Sequence, residues 1–179
     1  AGIGPGFASA QQYNYVLMQN DENVGYLKVD KDGATETVDY FVDSNGRGPK
    51  HTEVIELNAD NVPVGWTVEG TSLMGADVSE TFALDEGAAT WHSQADSGRE
   101  SVSGPALYAI NDGSPWADFV YARALLEDDD RSMPVLPSGT LSLEKVDKVT
   151  LDHEGEALEL MIYRPVSYTH LRAHETDSY

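Results

Sequence analysis

Residues 12–43 read QYNYVLMQNDENVGYLKVDKDGATETVDYFVD, and this stretch decides the fold. Short runs rich in Tyr, Val and Thr alternate in polarity and are broken by Asn, Asp and Gly, the pattern of strands joined by tight turns. Residues 12–18 and 24–30 read as a hairpin around the polar NDEN, and Lys31-Asp32-Gly33 turns the chain into a third strand over 34–43. In that strand Val38, Tyr40 and Val42 share one face. Outward from this stretch the pattern repeats after the loop SNGRGPK. A strand over 51–58 has Ile55 and Leu57 in phase, and one over 64–70 has Trp66 and Val68. In 78–84, Val78, Phe82 and Leu84 lie on one side, and 89–94 continues the series. One apolar face per strand predicts an antiparallel sheet covered on one side only.

The texture changes at Gly104, where GPALYAINDGSPWADFVYARALLEDDDRSMPVLPSG holds the convincing helix. Ser114 suits an N-cap, Pro115 suits the first helical position because its missing N–H had no partner there, and the run continues to about Glu127. Trp116, Phe119, Val120 and Ala124 fall on one side, and Leu125 and Leu126 widen the apolar surface, so the helix should be largely covered by protein. After a loop with Pro134 and Pro137, Leu141 and Leu143 alternate with polar residues, as do Leu158, Leu160 and Ile162. The order predicts an α+β fold, mainly β: a curved antiparallel sheet, a half-barrel-like meander, packed on one helix.

Both ends read differently from the middle. Residues 1–10, AGIGPGFASA, contain Ala8-Ser9-Ala10, which has the small-x-small form of a signal-peptidase site before Gln11, so a signal-peptide remnant and a periplasmic or secreted bacterial protein are expected. GIGPGF is not a dinucleotide loop, because Phe7 stands where the last glycine of G-x-G-x-x-G belongs. Residues 164–179, RPVSYTHLRAHETDSY, resemble translated sequencing-adapter read-through, which makes 11–163 the expected single domain of a severed coding sequence. In that tail His170 and His174 have the i, i+4 spacing of zinc hydrolases, but Leu171 occupies the place of the catalytic Glu, and Glu175 lies beyond it.

With 31 Asp+Glu against 11 Lys+Arg, the formal net charge is -20. Such a field repels the phosphates of nucleic acid, so a nucleic-acid partner is not expected. No run approaches the roughly 20 apolar residues of a spanning helix. The absence of cysteine excludes disulfides, thiolate metal sites and cysteine nucleophiles. About 150 residues remain between the two ends, the usual size of one domain.

Candidate chemistry is sparse. Asp30-Lys31-Asp32-Gly33 would place Lys28 where a calcium loop needs its first acid, so a hairpin turn is the better reading. Asp128, Asp129 and Asp130 read as a solvated loop after the helix. Gly70 to Gly75 misses the nucleophile-elbow spacing by one residue. His51, His92 and His153 stand singly at strand edges, and Trp66, Trp91 and Trp116 are of the type that fills a core. The catalytic, cofactor and metal sets are therefore empty. The loop Arg47, Gly48, Pro49, Lys50 is a rare positive spot on an acidic chain and is the candidate interface, with a tight strand-to-strand loop as its alternative.

Three segments, YNYVLMQNDENVGYLKV (13–29), NGRGPKHTEVIELNADNVPVGWTVEG (45–70) and the 104–139 stretch, together resemble the N-terminal accessory domain that precedes the metal-dependent barrel in a group of exported bacterial amidohydrolases. The resemblance implies a parent hydrolase of C–N bonds whose barrel holds zinc or a similar divalent metal and generates a metal-bound hydroxide. The barrel's H-x-H pair is missing from the sequence, so none of the family's catalytic positions carries over, and the implied partner is the missing catalytic domain. The competing expectation is a stand-alone periplasmic binding module, a lipoprotein-carrier-like half barrel with an apolar ligand in its concavity. Trp116 and Phe119 discriminate: buried against the sheet they favour the accessory domain, and facing an empty cleft they favour the carrier.

Overall fold

The computed structural model describes residues 10–153 and 155–168. Eight antiparallel strands follow one another in sequence order: β1 (Gln11–Gln19), β2 (Glu22–Asp32), β3 (Thr35–Val42), β4 (Lys50–Leu57), β5 (Pro63–Thr71), β6 (Asp77–Asp85), β7 (Ala88–His92) and β8 (Ser97–Ser101). A short strand β9 (Leu107–Tyr108) leads to helix α1 (Trp116–Glu127). The chain then builds a second sheet from β10 (Ser132–Leu136), β11 (Thr140–His153) and β12 (Glu156–Tyr168), in the spatial order β12-β11-β10-β9 with β9 and β10 parallel. The fold is α+β, mainly β, with a curved antiparallel sheet packed on one helix, as the alternation predicts.

Turn chemistry sets the register of the meander. Asn20 and Asp21 connect β1 to β2 with φ of 49° and 65°, the two positive values of a type I′ hairpin. Glu86 and Gly87 do the same between β6 and β7, at 47° and 77°. Lys31-Asp32-Gly33 lies in the β2–β3 hairpin, where Gly33 supplies a φ of 59°. Alternation then fixes the faces: β4 runs exposed, buried, exposed, buried from Lys50 to Leu57.

Helix α1 lies between two apolar clusters. Trp116, Ala117 and Val120 join Leu27, Val38, Ile55, Trp66 and Phe82 on the concave side of the eight-stranded sheet. Ala124 and Leu125 join Val62, Leu107, Met133 and Leu143 of the smaller sheet. Its cap differs from the sequence reading by one residue: Pro115 is the N-cap, and Ser114 accepts the Trp116 N–H through Oγ at 3.3 Å. Coverage also falls short of expectation, because Phe119 and Leu126 are 47 % and 49 % exposed. They share a stripe at the margin of the helix, where the Phe119 ring still packs beside Trp116 with 4.5 Å between centroids.

Three strands escaped the pattern. β8 (SGRES) has no apolar phase and is an edge, β9 is two residues long, and β10 carries Pro134 in what reads as a loop. β12 runs across the expected boundary at Tyr163, with Arg164 to Tyr168 paired to Glu144 to Thr140. Ala8, Ser9, His170, His174 and Glu175 lie outside the described residues. Truncating Ile55, which is fully buried, to Ala should lower unfolding free energy by about 2–5 kcal/mol. Val54→Ala on the convex face should stay within about 0.5 kcal/mol, as read by urea denaturation.

Candidate functional site

Three glutamates stand at core positions of the concave face. Glu36 on β3, Glu53 on β4 and Glu80 on β6 are each fully buried. In each strand the acid falls in the apolar phase: Glu36 with Val38, Glu53 with Ile55 and Leu57, Glu80 with Val78 and Phe82. A buried carboxylate costs several kcal/mol unless bonds replace its water. All six oxygens have partners, and many of these come from residues 108–123.

Glu80 takes the Tyr108 hydroxyl at 2.8 Å, the backbone N–H of Asn111 at 3.0 Å, the Asn111 side-chain amide at 2.9 Å and the Asp112 N–H at 2.9 Å. Glu53 takes the Ser114 N–H at 2.6 Å, the Trp66 indole at 2.9 Å and His51 Nε2 at 3.3 Å. Because an ionised carboxylate only accepts, His51 donates through Nε2. Glu36 takes the Trp116 indole at 2.8 Å, Arg123 Nη1 at 2.7 Å and Lys31 Nζ at 3.2 Å. The loop entering α1 would otherwise leave backbone N–H groups without partners, and a negative charge there also suits the positive end of the helix dipole. The distinctive INDGSPW run is thus the part of the chain that the carboxylates grip.

Burial pushes the Glu36 carboxyl up, but the bonds from Arg123, Trp116 and Lys31 outweigh it and hold the group below the ordinary carboxylate range. Glu53 follows the same balance, with burial opposed by His51, Ser114 and Trp66. Tyr108 is pushed well up, by burial first and then by the Glu80 carboxylate that it donates to. The arrangement is a set of structural anchors: each of the six carboxylate oxygens is engaged by the chain itself.

The remaining candidates fall as follows. Arg47, Gly48 and Pro49 end the β3–β4 connection, closed by Val42 N–H to Pro49 O at 2.9 Å and a Ser44–Arg47 bridge, and Lys50 opens β4. Gly48 backs directly onto the Val42 carbonyl, where a Cβ would clash with backbone. Arg47 and Lys50 are exposed, and Pro49 forms part of the wall of an open cavity of about 590 Å³ with His51, Tyr40, Leu73 and Asp112. Trp66, Trp91 and Trp116 are buried in the concave core, and His92 bonds Ser97 at 3.2 Å. Asp128 accepts the N–H groups of Asp130 and Ser132, and Asp129 and Asp130 face solvent. Among the described residues no group of three or more His, Asp or Glu is placed to hold a metal.

Two surface features were not read from sequence. One is a slot of about 520 Å³ between α1 and the β9–β12 sheet. The other is the β11–β12 ribbon, where Val149, Leu151, Leu158, Leu160 and Ile162 share one face and the last four are 40–50 % exposed. Comparison with family models, with curated proteins and with solved structures found no match.

Replacing Glu36 by Gln keeps the indole bond but leaves Lys31 and Arg123 without their anion, which should cost about 3–5 kcal/mol at neutral pH. Because the folded carboxyl is held below its ordinary value of 4.5, the contribution is complete above that value and lost as pH falls through the lower folded one. The readout is the difference in urea-derived stability between wild type and Glu36→Gln, since surface repulsion relaxes equally in both on acidification. The gap should be flat above about pH 5.5 and shrink below 4.5; a gap that widens in acid contradicts the assignment.

Proposed function

We propose that this chain is a non-catalytic accessory domain of an exported, metal-dependent amidohydrolase, and that it docks on the catalytic barrel through the apolar face of the β11–β12 ribbon. The observation that carries this reading is the ribbon itself. Two strands alone are marginal in water, and here they carry an aligned row of large aliphatic side chains on one face with no described residue covering them. Polar Lys148, Thr150 and Asp152 take the other face, opposite Met161, Glu159 and Ala157. Such a ribbon gains stability by laying its aliphatic side against another body.

The concave face supports the same reading. Trp116 is buried against the sheet with its indole bonded to Glu36, and the three buried carboxylates are engaged by structural bonds, so the concavity serves to position α1. The competing carrier would need that concavity open, and α1 occupies it. Phe119 is the exception, since its ring packs beside Trp116 but also lines the slot and stays half-exposed. The resemblance of segments 13–29, 45–70 and 104–139 supplies the identity of the partner, a barrel that would hold zinc or a similar divalent ion. Ala8-Ser9-Ala10 supports export to the periplasm or beyond, and the net charge of -20 disfavours a nucleic-acid partner.

The genomic frame read past the codon for Tyr163 should continue into a polypeptide with an H-x-H pair after a strand. In that longer protein, amide hydrogens of Leu158, Leu160 and Ile162 should exchange at least tenfold more slowly than in the 179-residue chain. Equal exchange rates would remove the ribbon as a docking face. The 179-residue chain with added zinc should hydrolyse amides and lactams no faster than zinc alone, and turnover above that blank would refute the non-catalytic assignment.

A further inference from the structure

The slot between α1 and the smaller sheet is distinct from the docking ribbon. Tyr163, Pro165 and Ser167 of β12 line it, whereas Leu158, Leu160 and Ile162 point to the opposite side of that strand by the alternation of the pleat. The slot has a floor: Leu107 and Leu125 are fully buried beneath it, and Phe119 and Leu126 form an exposed lip. At about 520 Å³ it lies within the roughly 300–1,000 Å³ of small-molecule pockets. It follows α1 from Asp118 to Leu126, eight residues of about 1.5 Å rise each, so about 12 Å in all, close to the span of an extended alkyl chain of roughly ten carbons.

Charge selects the head group. Among the described residues Asp118 is the only charged side chain in the lining, and it lies at the N-terminal end of α1. The Tyr121 hydroxyl, also in the lining, is already engaged with Tyr108 O at 2.7 Å and the Ile110 N–H at 3.1 Å. At the far end the Arg131 guanidinium lies over the Tyr163 ring, 5.2 Å from its centroid. A second guanidinium, Arg123, lies over the Phe119 ring 5.3 Å from its centroid, but it is paired with Glu36 at 2.7 Å. The charge that distinguishes the two ends is therefore Asp118 against Arg131, which favours one orientation of a cationic head. An anionic head at Asp118 would meet a like charge and the field of a chain with net charge -20.

We propose that this slot binds an amphiphile with a single alkyl chain and a cationic head, the chain lying between α1 and the β11–β12 stem and the head at Asp118. The test is calorimetric titration of the full chain with decyltrimethylammonium below its micelle concentration, alongside octyltrimethylammonium, decanol and decanoate. One-to-one binding is expected, with amide shifts at Phe119, Leu126, Leu141 and Tyr163. The octyl compound should bind roughly tenfold more weakly, from about 0.8 kcal/mol per methylene. Asp118→Asn should weaken the cationic ligand roughly two- to fivefold, the scale of an exposed ion pair, and leave decanol unchanged. Ala122→Phe, or Val135→Trp should the first fail to fold, fills the slot and should abolish binding while the far-ultraviolet spectrum is retained. Decanoate binding as tightly as the cation, shifts that map elsewhere, or affinity that survives the filled slot would each overturn the proposal.

Discussion

The carboxylates of Glu36, Glu53 and Glu80 are the constraint on which the rest of the structure depends. Taking three anions out of water is unfavourable by several kcal/mol each unless hydrogen bonds replace the lost hydration. The sheet offers few free donors of its own, because its backbone N–H groups are committed to the ladders. Most of the donors come instead from one segment, residues 108–123, through backbone N–H groups, a side-chain amide, an indole, a hydroxyl and a guanidinium, and Lys31, His51 and Trp66 of the sheet supply the rest. The segment can satisfy all three anions only in one position, with the loop over β4 and β6 and Trp116 over β3. Apolar contact alone would tolerate a helix that slides. Directional bonds to buried charge do not, and that is why the helix has a defined place in a broad, shallow concavity.

Placement of α1 in turn creates the second half of the domain. One side of the helix is spent on the meander, so Ala124 and Leu125 are left to nucleate a small cluster with Leu107, Met133 and Leu143. β9 and β10 flank the helix in sequence and pair in parallel beneath it, Leu107 opposite Val135 and Tyr108 opposite Leu136. The helix acts as the shared layer of two sheets that do not pair with each other. Phe119 and Leu126 lie where neither sheet reaches, and the slot is the consequence.

The meander was legible in sequence because a sheet with one covered face forces period-two alternation, and tight hairpins force Asn, Asp or Gly at their tips. The helix was legible through Ser114, Pro115 and the apolar spacing that follows. The anchors were not read, although the signal was there. In HTEVIEL the residues in phase with Ile55 and Leu57 are His51 and Glu53, and in DVSETFAL Glu80 sits between Val78 and Phe82. An acid is ordinarily assigned to solvent, which hides its phase. An acid in the apolar phase of three separate strands is the mark of a buried anion with a partner elsewhere in the chain. β8 and β10 carry no such mark, since one is a polar edge and the other is interrupted by Pro134. The slot depends on a parallel pairing across the helix that no local pattern encodes.

The β11–β12 pair shows how one irregularity lets a single ribbon present two surfaces. Leu143 pairs with Pro165 and Lys145 with Tyr163, but the next pair is Asp147 with Ile162, so Val146 is an extra residue on β11. An inserted residue reverses the phase of everything beyond it relative to the stem. Below the bulge the odd positions of β12, Tyr163 and Pro165, turn to the slot. Above it the aliphatic positions of β12 are even, Leu158, Leu160 and Ile162, and they align with Val149 and Leu151 on the opposite side. Without the bulge, β11 would carry Leu141, Leu143, Val149 and Leu151 on one face, while β12 would still change faces between Ile162 and Tyr163. The mismatch would set aliphatic side chains against polar ones along half of the ribbon. The bulge at Val146 brings the two strands into agreement, giving the stem one apolar face toward α1 and the tip another turned away from it.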